Sequence, residues 1–386
     1  MAVTRRPPSV LFVIYGLAPA GPERRILEFA RAFPDRPEPL EVHVCVIGDD
    51  LTLLEQFRQT RARIVQIRIR RPYLEWGNVR RVLDYVGQHE IRVVNSFNLQ
   101  TLLVCAAAKL RFGPRVKLVH HLISLWEDLS TPQRRIARSA MRSADSIVCN
   151  GRVVREQLIG SRPVVVPVSV IPNGVDVEYF CPRPLARAAV RSSLGLDDGD
   201  FLLGTISNIR PVKNFPFLLR ALGRLLERAP RARLVAVGGG PQLDEMKALA
   251  RSLGLAERVI FTGLQTDVRP FLSAMDAFAL CSTREGNPNV VLQAMASALP
   301  VVSVDVGEVP FVIESGTSGY IVDRDEQAFA DALARLAADR TLRSSIGAAA
   351  RRRVSADFSA TRMIDDYATL FLQLARQPDY AQVSAA

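Results

Sequence analysis

The sequence predicts an α/β protein of two Rossmann-like domains whose parallel sheets face a central cleft. Three observations lead there. Short, β-branched apolar runs alternate with helical patterns across all 386 residues, which is the grammar of βαβ units. Those runs are continuous rather than alternating, as strands covered by helices on both faces must be. A stretch bearing Pro, Asp and Gly, residues 172–199, parts the chain into two such series, in keeping with the two domains that its length favours. An apolar content of 48% is ample for two cores.

In the first half, strands are expected at residues 9–15, 41–47, 62–69, 93–95, 116–120, 146–149 and 164–171, with helical patterns between them such as 23–33, 79–89 and 131–143. Residues 10–20 behind Arg5-Arg6 also mimic the apolar segment of a signal peptide. They are read as the first buried strand and its loop, because the rest of the chain continues the same pattern. The second half repeats the grammar. Its strands are expected at 201–206, 233–237, 259–262, 277–281, 301–304 and 320–322, and its helices at 215–228, 243–253, 268–274, 289–298 and 326–336. The domains are then 1–172 and 173–360. A last helix, residues 360–375, can pack on either half, and the tail from Gln377 is expected to fray.

Charge is unevenly spread. Residues 1–176 carry 26 Lys and Arg against 16 Asp and Glu, whereas the remainder carries 24 against 23, so ten of the eleven net positive charges fall in the first half. An anionic partner for that half follows, such as an acidic membrane surface or a phosphorylated lipid; a generally Arg-rich composition is the plainer alternative. Arg134, Arg135, Arg138 and Arg142 fall on one side of an expected helix, and with Arg111, Arg115 and Lys117 they form a candidate membrane-facing patch or a solvated face. The basic half shows neither interleaved aromatics nor a nucleic-acid-binding module. The five Cys are widely spaced without any CxxC, as expected of reduced core thiols in a cytoplasmic protein. No apolar run reaches the ~18 residues of a membrane span, and the four His show no metal-ligand spacing.

The most informative stretch follows the strand expected at 277–281. It is a polar turn carrying one acid, Glu285, then Gly286, then Asn287 placed to cap a helix with Pro288 at its first position, leading into Asn289 and Val290. That arrangement sets free backbone N–H groups beside a carboxylate. The N–H groups suit a phosphate, and the carboxylate suits sugar hydroxyls. Arg210 and Lys213 follow the first strand of the second half, three residues apart, where they can grip a diphosphate. Gly238, Gly239 and Gly240 follow the next strand and let backbone approach a ligand closely. They match neither a dinucleotide fingerprint nor a P-loop. In the first half, Gly16 and Gly21 bracket a loop after the first strand, and His120-His121 ends a strand where a His can hydrogen-bond a hydroxyl or serve the departing group. Asn173-Gly174 in Ile171-Pro172-Asn173-Gly174-Val175-Asp176 is a turn at the junction and a hinge candidate. Asp198-Gly199-Asp200 and Asp323-Arg324-Asp325 read as turns rather than metal sites.

Taken together, Glu285-Gly286-x-Pro288, the Arg210/Lys213 pair, the junction motif, Val237-Gly238-x-Gly240-Pro241 and Gly316-x-x-Gly319 resemble the family 4 retaining glycosyltransferases of GT-B fold, most strongly over residues 170–325. The resemblance implies a nucleotide-sugar donor held by the C-terminal domain and an acceptor held by the basic N-terminal domain. It also implies transfer with retention, no metal and no further cofactor. By the same resemblance, Arg210 and Lys213 neutralise the leaving diphosphate and Glu285 bonds the donor sugar. The backbone from Asn287 to Val290 meets sugar and phosphate, Gly16 and Gly21 form the N-terminal glycine loop, and His121 rather than His120 is the active-site histidine. The expected product is a cell-surface polysaccharide or glycolipid, made in the cytoplasm or on the inner face of the membrane.

Several positions depart from the family pattern, beginning with the N-terminal loop, where Gly-Gly-Ala-Glu-Arg appears as Ala20-Gly21-Pro22-Glu23-Arg24. The second acid of Glu-x7-Glu, which takes ribose hydroxyls in the family, is Gln293; Gly-Gly-x-Pro-Glu appears as Gly307-Glu308-Val309-Pro310-Phe311; and the Gly before Leu-Pro-Val-Val is Ala298. A neutral bond contributes ~0.5–1.5 kcal/mol against ~1.5–3 for a charged one, so Gln293 is expected to weaken the donor by roughly tenfold. A sugar-nucleotide epimerase of similar architecture, or a catalytically weakened relative acting as a binding protein, are the competing readings.

Overall fold

The computed structural model describes residues 6–18, 21–69, 75–123, 129–161 and 164–377. The Pro19-Ala20 part of the first glycine loop and all of the expected tail beyond Gln377 lie outside them. The chain divides into two compact units, one of Met1–Pro172 with Met363–Ala386 and one of Asn173–Arg362.

In the first unit the elements are β1 (Ser9–Ile14), α1 (Gly21–Ala32), β2 (Glu41–Val46), α2 (Leu54–Arg58), β3 (Arg63–Gln66), α3 (Trp76–Gln88), β4 (Val93–Ser96), α4 (Leu99–Phe112), β5 (Lys117–Leu122), α5 (Thr131–Met141), β6 (Ser146–Cys149), α6 (Arg152–Ser161) and β7 (Val168–Val170). The strands form a sheet in the order β3-β2-β1-β4-β5-β6-β7. Every pairing is parallel. Strand side chains alternate between two cores, as a period of two demands. Leu11 and Val13 join one, whereas Val10, Phe12 and Ile14 join the other. The last helix of the chain, α15 (Ala360–Arg376), completes the second of these cores through Met363, Tyr367, Phe371 and Leu372. Its Phe371 ring meets Phe12 edge-on at 5.9 Å, and Tyr367 lies 4.9 Å from Phe29. Such aromatic pairs add specificity to apolar burial.

The second unit holds α7 (Pro184–Ser193), β8 (Phe201–Ile206), α8 (Phe215–Arg228), β9 (Ala232–Val237), α9 (Leu243–Ser252), β10 (Val259–Gly263), α10 (Arg269–Ala274), β11 (Ala277–Leu280), α11 (Asn289–Ala296), β12 (Val301–Val304), α12 (Val309–Val312), β13 (Gly319–Val322), α13 (Glu326–Ala338) and α14 (Arg340–Asp357). Its sheet runs β10-β9-β8-β11-β12-β13, again all parallel. The buried carboxylate of Asp276 at the start of β11 takes Arg187 at 2.7 Å, Arg191 at 3.1 Å and the Leu202 amide at 2.8 Å, fixing α7 to the sheet.

Several details differ from the sequence reading. The strand expected at 62–69 is one only over Arg63–Gln66, and the stretch 172–199 read as the junction holds α7. The strand expected at 164–171 is paired only over Val168–Val170. Lys117 is 6% exposed, with its ammonium turned to Asp145, so it belongs to no exposed basic patch. Both candidate DxD pairs are turns. Asp200 accepts from Arg231 and the Asp197 amide, and Asp325 caps α13 through the Ala328 amide.

Candidate active site

In a parallel sheet every strand ends at the same edge, and ligands gather beyond that edge where the strand order reverses. In the second unit the reversal falls between β8 and β11. The two loops that leave those strands carry the residues singled out by the sequence.

After β8, Pro211–Lys213 forms one 3₁₀ turn, and Asn214 then adopts the left-handed conformation (φ 50°, ψ 46°) before α8 begins. Asn is among the few side chains that tolerate this region. After β11, the Thr283 amide donates to the Val212 carbonyl at 2.8 Å, tying the second loop to the first. Across that seam the Lys213 ammonium donates to Glu285 Oε1 at 2.6 Å, with side-chain exposures of 19% and 13%. Arg210, at the start of the same 3₁₀ turn, is exposed.

The acidic turn is also held from β12. Gly307 has φ +53°, and a Cβ there would lie 2.5 Å from the Glu285 carbonyl and 2.7 Å from that of Gly286, so only glycine fits. The next amide, Glu308, donates to Gly286 at 3.0 Å. Arg324 reaches from beyond β13 to the Ser282 carbonyl at 3.0 Å. Nothing in the chain marks Arg324 as more than part of a turn, because its reach across the sheet edge is a long-range contact.

α11 begins at Asn289, as the helix expected at 289–298 does, but its cap lies one residue later than the Asn287 expected. Pro288 is its N-cap (φ −78°, ψ 89°) and Asn289 its first residue, with no side chain capping it. Asn287 is therefore not the cap: the chain is still extended at Pro288, and the helical turn is first closed by the Val291 amide on the Pro288 carbonyl. No side chain caps the amides of the first turn. Gln293 lies one turn on from Asn289 and is half-buried. After β9, the Gly238 amide pairs with Gly263 at 2.9 Å and Gly239 accepts from Ile209 at 2.7 Å. A Cβ on Gly238 would meet the Ser207 carbonyl at 2.1 Å, so this ledge is packed backbone.

In the first unit, Gly16 follows β1, where the neighbouring Leu17 amide bonds the Asp50 carbonyl at 2.7 Å, and Gly21 opens α1. The two histidines of β5 point to opposite faces. His120 meets Ser96 Oγ at 2.9 Å through Nδ1, and burial pushes its pKa down to about 4. His121 is 1% exposed, stacked on Phe97 at 4.4 Å, with Nε2 bonded to Asn95 Oδ1 at 2.9 Å. Since Oδ1 only accepts, Nε2 carries the proton and Nδ1, which has no hydrogen-bond partner, is a bare acceptor. Burial first, then Arg25 and His120, hold this ring well below the usual imidazole pKa. Arg25 donates to the Tyr367 hydroxyl at 3.2 Å. Asn95 and Tyr367 were not anticipated as neighbours of His121, because pairing across strands and the return of α15 are long-range facts.

Comparison with known proteins agrees with this geometry. Residues 19–179 match the model described as Glycosyltransferase Family 4, and residues 200–339 that of Glycosyl transferases group 1. The GDP-mannose-dependent α-(1-6)-phosphatidylinositol monomannoside mannosyltransferase of Mycolicibacterium smegmatis is 33% identical over 287 residues, covering 70% of this chain and 74% of its own. The D-inositol 3-phosphate glycosyltransferase of Actinosynnema mirum is 36% identical over 234 residues, 57% of this chain and 56% of its own. The fold is similar to that of Anabaena HepE, solved in complex with UDP, at a TM-score of 0.83 and 23% identity over 95% of this chain and 100% of that one. With a basic 3₁₀ turn, an acidic turn and a helix start meeting at the switch point of the second of two parallel sheets, and a relative 33% identical across most of its length, the chain belongs to the family 4 glycosyltransferases of GT-B fold and is a glycosyltransferase.

Proposed function

We propose that the second unit binds a nucleoside-diphosphate sugar at its switch-point edge, and that the sugar passes to an acceptor hydroxyl with retention of anomeric configuration. The observation that carries this reading is the 2.6 Å contact of Lys213 with Glu285 beside the start of α11. One cation and one carboxylate held together at a helix N-terminus match the three parts of such a donor. Arg210, Lys213 and the α11 amides neutralise charge on the departing diphosphate. Glu285 accepts from sugar hydroxyls, and Gly286, Asn287, Pro288, Asn289 and Val290 supply the close backbone. Gly238 and Gly239 form a flat ledge for the nucleoside, and Gln293 accepts one ribose hydroxyl. The acceptor hydroxyl attacks from the face the leaving group vacates, with a phosphate oxygen as base. This reading calls on no resident cofactor or metal.

In the first unit, Gly16, Gly21 and His121 serve the transferred sugar and acceptor, His121 through its bare Nδ1. The acceptor is a glycan or a lipid-linked saccharide. Names of relatives support the lipid, since the mycobacterial protein acts on a phosphatidylinositol monomannoside. Among the described residues no helix is long and apolar enough to cross a membrane. A cytoplasmic protein that docks peripherally on an anionic inner surface fits the basic first half. Ile136 and Leu110, 48% and 80% exposed, lie on α5 and α4 among Arg111, Arg135 and Arg142. Charge reversal at Arg135 and Arg142 is expected to abolish binding to anionic vesicles; binding that persists rejects the lipid surface.

The donor reading is tested by nucleotide release from GDP-mannose and UDP-glucose, with wild type, Lys213→Ala and Glu285→Ala. Both variants are expected to lose most turnover, and unchanged turnover in both rejects the assignment.

A further inference from the structure

The junction motif has a partner inside the second unit. Asn173, the first residue of that unit and 6% exposed, donates through Nδ2 to Oδ1 of Asn289 at 2.7 Å. Asn289 is the first helical residue of α11. The segment holding Asn173 is itself anchored. The Val175 amide bonds the Phe358 carbonyl, and the Ala360 amide returns to Val175, each at 2.9 Å. Gly174 packs so closely on this second segment that a Cβ would lie 2.7 Å from Ala360 Cα. The chain passes between its two units through both segments.

A first-turn residue without a side-chain cap has no local device to fix its direction. At α11 that device is distant in sequence: a buried amide on the connecting segment. We infer that Asn173 is a positioning residue for the donor site, holding the first turn of α11 in register with the diphosphate and tying that register to the segment joining the units. The inference rests on the donor-site reading above. It extends that reading from groups that touch the donor to one that acts through Asn289.

The test is a double-variant cycle in the full chain, with UDP, GDP and ADP as calorimetric probes and melting temperature measured on every protein. Asn173→Ala and Asn289→Ala are each expected to weaken nucleotide binding by about three- to tenfold, the range of one hydrogen bond. The double variant should be no weaker than the worse single one. In turnover the change should appear in donor KM, with acceptor KM unmoved. Asn289→Asp keeps an acceptor for the Asn173 amide, so adding Asn173→Ala on that background should cost the same factor again. Factors that multiply in the double alanine variant, or melting temperatures that fall while nucleotide affinity holds, overturn the inference. Lys213→Ala, run alongside, reports on the donor reading separately. If it leaves affinity intact while the asparagine pair stays coupled, the site is misassigned but the positioning stands. If wild type binds none of the three diphosphates, both fall.

Discussion

Replacing Lys213 by Met separates stability from catalysis. At 2.6 Å, and at an effective dielectric of about 20, the Lys213–Glu285 charges attract by ~6 kcal/mol. Desolvation of both groups offsets most of that. What a single substitution reveals is the cost of stranding the other charge. Glu285 is 13% exposed in its side chain, between the exposed pairs that count for ~0–1 kcal/mol and the buried ones whose rupture costs ~3–5. Lys213→Met should therefore destabilise by about 1–3 kcal/mol, which in a unit of this size lowers the melting temperature by about 2–10 °C. Lys213→Met with Glu285→Gln removes both charges and should recover most of the loss. Turnover behaves differently. On the proposed donor reading the cation meets the leaving diphosphate, so losing a charge-assisted bond of ~1.5–3 kcal/mol slows transfer by about 10–150-fold in Lys213→Met, and the double variant, which also lacks the Glu285 carboxylate, is slower still. Scanning calorimetry and nucleotide release on the four proteins decide it. A Lys213→Met protein as stable as wild type, or a double variant destabilised by the sum of the two single effects, refutes the stranded-charge argument. A double variant that regains turnover refutes the role of Lys213 with the donor.

Gln293→Glu should tighten nucleotide binding by roughly tenfold by supplying a charged acceptor to the ribose; unchanged affinity in calorimetry places Gln293 away from it. Ala298 has φ +57°, a left-handed conformation costing a side-chain-bearing residue ~1–2 kcal/mol, so Ala298→Gly should raise the melting temperature by a few degrees after glycine's ~0.5–1 kcal/mol entropic loss. His120 is neutral when folded, with a pKa near 4 against ~6.5 unfolded, so the unfolded chain takes up its proton first. Stability is then full above about pH 6.5 and falls as pH drops toward about 4, by up to ~1.4 kcal/mol per unit from this ring. His120→Gln should flatten that slope in denaturant titrations at several pH values.

The fold was legible because parallel-sheet strands are continuous apolar runs and the chain repeats them in two series. Among the helices of the second half, α14 was missed because it carries Arg and Ala without a sharp face, and α7 because it lies inside the Pro-, Asp- and Gly-bearing stretch that parts the two series. The candidate site was legible where its residues follow strand ends, as with Lys213 and Glu285, which the structure brings into contact. It was not legible where a contact joins distant segments. Asn173 reaches Asn289 across 116 residues of chain, and Tyr367 returns to His121 from the last helix. A histidine pair at a strand end says nothing of which ring faces which core, though the strand period decides it once the neighbours are placed.

The departures from the family pattern sort by what the backbone asks of each position. Gly307 retains its glycine because φ +53° and the Glu285 carbonyl admit nothing larger. Glu308, where the family has a second glycine, sits at φ −79°, ψ −1°, an ordinary conformation that any residue adopts, so the change costs the backbone nothing. Ala298 keeps the left-handed bend of the glycine it replaces and carries the strain. That strain lies at the carboxyl end of α11, where Arg351 also bonds the Ala296 carbonyl, away from the helix start that would meet the donor. Gln293 alone changes a group facing outward from α11, and it changes charge rather than shape. The backbone of the proposed diphosphate site keeps its conformation, and Lys213 and Glu285 are in contact. The effect of these departures should be read in donor affinity, not in the chemical step.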